Sequence, residues 1–428
     1  MTGYLTRAAE YGGYCTATVG LLAFGFVTGQ NVQSVTLDLL VATVRIVLLE
    51  AVSSAIGFAV FGTVTGLLLL REVRTEPEEP SHEGPPVTAI VPVYRDANVL
   101  ANSVESLAAA AYEDLRVVVV GEHDDAASRR EALRLADEYD RVEWLENGYA
   151  GSKAGAINYA VERAETDHFV VFDADEVVDE AFVSAAMERL VGDYEVFQGR
   201  RVPQPTGPIE TVAYCERVLF QAGYKLVELI GFRNCRSSST AFTREAFETV
   251  GGYDDVLTED LDFSHKIYRA GVPVARARYR TNEMEAPHTL RDLWGQRKRW
   301  RIGQVEVLHR TLRELVRSPR NPRAYVSTIR IVSSLLGSIF LLTLVSKFVL
   351  LLLLDLELFN LLPLAAILGT VAAVAAVDRR NGDIDGLSVS WFATPLVYPF
   401  FGLMTIKSVL EYLFSWEGEW YHVEKLGQ

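Results

Sequence analysis

Five apolar stretches, each about 20 residues long, lie outside a polar middle, and they constrain this chain more than any other feature. A helix needs about that length to cross the hydrocarbon of a bilayer. Residues 11–29 are uncharged and Gly-rich, and residues 51–70 are uncharged and more apolar. Residues 331–354, 358–377 and 387–406 follow the polar middle, the first carrying Lys347 near an end, where it can snorkel. Residues 36–50 are apolar but hold Asp38, Arg45 and Glu50, which suits a helical extension into the interface or a bundle contact. The first 30 residues lack a basic n-region and a small-residue cleavage site, so they read as retained.

Arginines set the expected orientation. Arg71 and Arg74 follow the second stretch, an Arg cluster precedes the third, and Arg379 and Arg380 follow the fourth. The positive-inside rule then puts residues 71–330 in the cytoplasm of a multi-pass membrane protein. The chain divides into a membrane region (1–74), a Pro/Glu-rich linker (75–86), a globular domain (87–290), a basic interfacial segment (291–323) and a second membrane region (324–428).

Charge is distributed as unevenly as hydrophobicity. Residues 87–290 hold 36 Asp/Glu against 21 Lys/Arg, while 291–323 hold ten Lys/Arg against three Asp/Glu. The acidic domain repels nucleic acid, and an anionic substrate needs a local basic patch or a metal to enter. Only seven of the 41 basic residues are Lys, and with the acid excess this resembles the proteins of salt-loving archaea. Cys15, Cys215 and Cys235 have no metal-site spacing and read as reduced thiols.

The middle alternates short apolar runs with helical stretches. Strands are expected at Val87–Val93, Leu115–Val120, Val142–Leu145 and His168–Phe172, and helices at 97–111, 129–139 and 152–164. Such alternation implies an α/β domain with an open parallel sheet, whose ligands bind beyond the carboxyl ends of the strands.

Candidate chemistry sits at those ends. Asp173 and Asp175, one residue apart after the fourth strand, can face one cation and the diphosphate it bridges, which suits Mg2+ or Mn2+. Pro92, Val93, Tyr94 and Asp96 end the first strand, and Glu122, Asp124 and Asp125 follow the second. The loop at 147–158 is punctuated by Gly and brings a single Lys153 to a helix N-terminus, a natural diphosphate contact. Gly251-Gly252-Tyr253-Asp254 precedes Thr258-Glu259-Asp260, where Asp260 or Glu259 can take a proton from an attacking hydroxyl, or the segment can simply cap the next helix. Gln296-Arg297-Lys298-Arg299-Trp300 offers three cations for a departing diphosphate and an aromatic face for a sugar ring; alternatively it is a basic helix on anionic lipid.

This order of motifs resembles the membrane-bound family 2 glycosyltransferases, the group of cellulose, chitin and hyaluronan synthases, over about residues 87–300 and the flanking spans. The resemblance implies a GT-A domain flanked by transmembrane helices and inverting, metal-dependent transfer of a sugar. The donor would be a nucleotide-sugar, and the acceptor a growing polysaccharide or a lipid-linked glycan. It implies that Pro92, Val93, Tyr94 and Asp96 serve the nucleotide, Lys153 the diphosphate, and Asp173 and Asp175 the metal, with Asp175 as direct ligand. It further implies Asp260 as base, Glu259 on the acceptor side, Gln296 and Arg299 at the diphosphate, and Trp300 at the acceptor sugar. The family's acidic pair after the second strand is replaced by Gly121-Glu122-His123-Asp124-Asp125, so either Glu122 or Asp124 reads the base. Single-sugar transfer to a lipid carrier or protein glycan, and a nucleotide-sugar binder without turnover, are the alternatives. The tail at 416–425 resembles the cytoplasmic ends of such enzymes, which conflicts with five spans; residues 11–29 or 387–406 are then the ones to be interfacial or re-entrant.

Overall fold

The computed structural model describes residues 2–39, 41–74, 79–149, 151–317, 320–415, 421 and 423–427, without the side chains of 2–4 and 277–280. It opens with α1 (Thr2–Gly29), β1 (Val32–Leu39), β2 (Ala42–Leu49) and α2 (Glu50–Val73). Next come β3 (Val87–Val93), α3 (Leu100–Ala108), β4 (Leu115–Gly121), α4 (Ala126–Glu138), β5 (Val142–Glu146), α5 (Lys153–Arg163) and β6 (His168–Val171). The domain continues with α6 (Phe182–Val191), β7 (Val196–Pro203), α7 (Pro208–Glu228), β8 (Thr240–Thr243), α8 (Arg244–Val250), α9 (Glu259–Ala270) and β9 (Val274–Met284). It closes with α10 (Leu290–Arg317), α11 (Pro322–Leu353), α12 (Leu358–Asn381), a 3-10 stretch at Val389–Leu396 and α13 (Val397–Ser415).

Seven strands form one sheet in the order β5-β4-β3-β6-β8-β7-β9. The four strands expected from the apolar runs are its parallel half, whereas β8 runs antiparallel to both β6 and β7 and makes the whole sheet mixed. Side chains alternate across it. Val87, Ala89, Val91 and Val93 enter one buried cluster with α3 and α6, while Ile90, Val118 and Val120 enter the other with α5. Strand order reverses at β3, which has β4 on one side and β6 on the other, so a crevice opens beyond their carboxyl ends.

Among the described residues, five helices are long and apolar enough to cross a membrane. Residues 36–49 are not helical: β1 and β2 pair antiparallel from Val32↔Leu49 to Leu39↔Ala42. The run is rich in Val, Ile, Leu and Thr, whose branched side chains favour the pleated chain. Glu50 instead starts α2, and Lys347, expected to snorkel, bonds its carboxylate at 2.6 Å and Ser54 at 3.1 Å. Pairing removes the cost of an isolated charge in an apolar bundle.

Neighbours along the helices fix their directions. The end of α1 at Gly29 abuts Lys347 and Leu350, whereas Gly13 abuts Leu410. The domain-side ends are marked by polar clamps. Asp378 of α12 takes both Nη atoms of Arg200 at 2.9 and 2.7 Å and the Tyr214 hydroxyl at 2.6 Å, and Glu72 of α2 pairs with Lys225. Residues 389–415 do not run the full depth of the bundle. Ser388 bonds Thr211 of the domain, Gly402 packs at the level of Ser338 and Leu342, and Tyr412 clusters with Ile331 and Leu335. Glu411 then pairs with Lys298 of α10 at 2.6 Å, so the segment begins against the domain and ends against α10.

Candidate functional site

The acidic pair leaves β6 at the crevice. Asp173 pairs with Lys153 at the start of α5 and receives Arg201 Nη1 at 2.5 Å from β7. Burial pushes this carboxyl up, but the two cations outweigh it and hold it below the usual carboxylate range. Asp175 is buried; it accepts the Glu285 amide at 3.2 Å and pairs with Lys425 of the C-terminal tail. That tail is also held by Asn98 Nδ2 on the Lys425 carbonyl at 2.8 Å and by the Leu426 amide on Glu285 at 2.6 Å. Of the expected tail contact, 416–420 and 422 lie outside the described residues.

The nucleotide-side residues come together at the ends of β3 and β4. Pro92 and Val93 close β3, but the Val93 side chain is in the core, so only its main chain reaches the crevice. Tyr94 is exposed with the Arg95 guanidinium 4.8 Å from its ring centre. Arg95 holds φ 60°, and its amide donates to Asp125 at 2.5 Å. Asp125 also caps α4 through the Ser128 amide, which gives it a structural role. Glu122 accepts Asn147 Nδ2 at 2.7 Å from the end of β5, while Asp124 is exposed. Burial, together with Asp175, Asp173 and Asp125, pushes the Asp96 carboxyl up to about 7 against the opposing pull of Lys425.

Local sequence explains how the loops deliver these groups. Ser152 caps α5 by accepting the Gly155 amide at 3.1 Å, which fixes Lys153 in the first turn. A Cβ at Gly155 would lie 2.4 Å from the Tyr149 carbonyl oxygen, so only glycine lets the loop fold over the helix start. Asn158 on the same helix donates to the Tyr253 carbonyl at 2.8 Å and accepts its amide at 3.0 Å, joining the two Gly-rich motifs. Asp254 turns away to pair with Lys266 at 2.7 Å and with Arg310.

The remaining acids enter from α9. Glu259 is buried and accepts the Ser237 hydroxyl at 2.7 Å; burial and then Asp260 push its carboxyl up, with Lys153 opposing. Asp260 is half-buried, and its Oδ1 accepts the Leu261 amide at 2.7 Å. Thr258 occupies the cap position but makes no side-chain cap bond, so of the expected capping only the bond of Asp260 to a first-turn amide is present.

On α10 the three cations separate. Arg297 bonds Glu216 at 2.8 and 2.7 Å and also reaches Gln296, and Lys298 pairs with Glu411, so both are held by carboxylates outside the crevice acids. Arg299 feels Glu259, Asp260 and Asp173, which oppose the lowering of its pKa by burial. The α-helical spacing of Gln296, Arg299 and Trp300 puts them on one face. Trp300 is half-buried, with Arg297 4.3 Å and Arg217 5.8 Å from its ring centre.

Sequence reasoning missed a supporting network. Arg201 bonds Glu176 at 2.8 Å, Glu176 accepts Ser239 at 2.7 Å, and Asn282 bonds Ser239 at 2.8 Å. Its one legible signal is the pair Arg200-Arg201 between Val196-Phe197 and Val202, since cations buried with apolar neighbours need partners. Among the described residues no cluster of three His, Cys, Asp or Glu is arranged to hold a metal ion. The donor set still fits a diphosphate-bound Mg2+ or Mn2+, because such ions take most ligands from phosphate and water. Asp173 and Asp175 are held instead by Lys153, Arg201 and Lys425, which an entering cation would have to displace in part.

Residues 88–251 match the model of glycosyl transferase family 2. A poly-beta-1,6-N-acetyl-D-glucosamine synthase of Staphylococcus aureus is 26% identical over 246 residues, 55% of this chain and 58% of that protein. The Staphylococcus epidermidis synthase is 23% identical over 253 residues, 56% of this chain and 59% of its own. The chain therefore spans a little under three fifths of the length of these relatives. The solved structure of the mannosyltransferase PcManGT from Pyrobaculum calidifontis, with GDP-Man and Mn2+, is similar in fold. Its TM-score is 0.54 at 18% identity, covering 86% of this chain and all of the other. Residues 88–251 are thus similar to glycosyl transferase family 2, and the mixed sheet around them has a GT-A fold.

Proposed function

We propose that this chain is a multi-pass membrane glycosyltransferase that moves a sugar, with inversion, from a nucleotide-sugar donor to a polysaccharide or lipid-linked acceptor. One observation carries the reading. Asp173, Lys153, Glu259, Asp260 and Arg299, drawn from four separate elements, share one electrostatic neighbourhood at the crevice. Tyr94, Asp96 and either Glu122 or Asp124 receive the nucleotide, Lys153 and the α5 N-terminus face the diphosphate, and Arg299 approaches from α10. Mg2+ or Mn2+ bound by Asp173 and Asp175 would neutralise the departing diphosphate. Asp260 keeps Oδ2 for the proton of the acceptor hydroxyl as its oxygen bonds the anomeric carbon and the bond to the diphosphate breaks. Glu259 and Trp300 face the acceptor.

The helix directions support four crossings, with residues 389–415 re-entrant. The tail then returns to the catalytic side, which removes the conflict between five spans and a cytoplasmic tail. The Arg distribution supports the cytoplasm as that side, and the acid-rich, Lys-poor composition supports a salt-adapted protein. The similarity to the synthases favours chain extension over single-sugar transfer. Asp175→Asn tests the site: transfer by the purified full chain should fall at least about 10²-fold in Mg2+ or Mn2+ with the fold intact. Near-normal turnover would remove the metal role from Asp175.

A further inference from the structure

Three cations face the acidic pair, and they are held in different ways. Lys425 reaches Asp175 from the C-terminal tail, and Lys153 reaches Asp173 from the first turn of α5. Arg201 is held from behind as well as in front. Its Nη1 donates to Asp173 Oδ2 at 2.5 Å and to Glu176 Oε1 at 2.8 Å. The other oxygen of Glu176 accepts the Ser239 hydroxyl at 2.7 Å, and Asn282 Nδ2 donates to that hydroxyl at 2.8 Å. Asn282 Oδ1 accepts the Asp179 amide at 3.0 Å, which closes the network on the segment following the acidic pair. Glu176, Ser239 and Asn282 are all fully buried. Ser239 holds φ 47°, in the left-handed region that residues other than glycine avoid, and such a conformation persists only where its surroundings fix it.

The strand that carries Arg201 is pinned on its other face too. Successive residues of a strand point to opposite sides, so Arg200 leaves the sheet away from Arg201. Arg200 takes both oxygens of Asp378 on α12, and Val202 enters the apolar cluster of α2, α7 and α12 on the same side. Moving Arg201 therefore means moving a strand anchored by buried charge on both faces. Arg201 also stands between two carboxylates, since one of its nitrogens serves both Asp173 and Glu176. Without it the two would repel each other, and Asp173 would lose its direction.

We infer that Arg201 is a positioning residue for the donor site: it fixes the direction in which Asp173 presents its carboxylate to a metal-diphosphate, and it stays in place when an entering cation displaces Lys425. This rests on the transferase reading and deepens it, since it adds to that site a residue that acts only through Asp173. The sign of one effect separates this role from its rival. Removing a cation that merely competes with the metal leaves the site tighter, whereas removing one that directs a ligand leaves it weaker.

Calorimetric titration of Mn2+ into the full chain in dodecylmaltoside micelles, at saturating UDP or GDP, tests it. Arg201→Gln should bind Mn2+ about tenfold more weakly than the parent. Arg201→Lys keeps the charge but not the planar fork, so it should melt near the parent and still bind Mn2+ about tenfold more weakly. Ser239→Ala changes no charge and should lose about threefold, because it loosens Glu176 behind Arg201. Binding of the same nucleotide without Mn2+ should stay within about twofold in all three variants. Tighter or unchanged Mn2+ binding in Arg201→Gln overturns the inference. Should that variant not fold, unchanged Mn2+ binding in the folded Arg201→Lys and Ser239→Ala proteins overturns it equally. Weakened metal-free nucleotide binding also overturns it, because Arg201 would then hold the diphosphate itself. Weaker Mn2+ binding in the variants, with no sugar transfer from any donor by the parent, would keep the positioning role and overturn the transferase reading instead.

Discussion

Replacing Lys425 with alanine removes the ammonium that pairs with Asp175 and leaves the main-chain contacts of the tail in place. Those contacts, from Asn98 to the Lys425 carbonyl and from the Leu426 amide to Glu285, need no Lys side chain. Asp175 is 7% exposed, so solvent does little to screen the pair. A cation entering at Asp175 has to displace that ammonium. A hydrogen bond between charged groups contributes about 1.5–3 kcal/mol, which corresponds to roughly 10- to 100-fold in affinity. Lys425→Ala should therefore bind Mn2+ about 10- to 100-fold more tightly than the parent, read by calorimetric titration at saturating UDP or GDP. Unchanged or weaker Mn2+ binding would refute the reasoning and make Lys425 a partner of the donor rather than a competitor of the metal.

Two further outcomes follow from the geometry. Trp300→Ala should weaken acceptor binding or shorten the product more than it weakens donor binding. Unchanged product and acceptor kinetics, with α10 newly sensitive to protease, would make Trp300 a membrane anchor only. His288 bonds Glu210 at 2.7 Å and Glu285 at 2.5 Å, which raise its pKa against the lowering effect of burial. A raised folded pKa gives stability that is full below the unfolded value, about 6.5, and is lost as pH rises through the folded value. The melting difference between parent and His288→Gln should then be larger at about pH 6 than at about pH 9; a larger difference at the alkaline end would contradict the ion pairs.

Much of the fold was legible because its signals are local. The Val87–Val93 strand was placed to the residue by its apolar run, and the crevice acids followed from strand ends. What stayed hidden depends on partners distant in sequence. Lys298 looked like a diphosphate ligand until Glu411 of α13 claimed it, and Lys347 looked like a snorkelling residue because Glu50 is remote along the chain. Hydropathy counts residues 387–406 as a span because it registers length and composition, whereas the proposed re-entrant path rests on the packing of α13 against α10 and α11, which no local signal carries. The hairpin at 32–49 was missed for a different reason: its apolar density was read without weighing its β-branched residues.

Sugar incorporation by the purified full chain tests the central claim most directly. The chain, reconstituted with a lipid extract and Mn2+, is offered labelled UDP- and GDP-sugars alongside Asp260→Asn. The account predicts transfer from at least one donor, cut by about 10²- to 10⁴-fold in the variant while donor affinity holds. Transfer that survives at saturating donor while donor affinity collapses would show that Asp260 binds rather than accepts the proton. No transfer from any donor would contradict the proposed function itself.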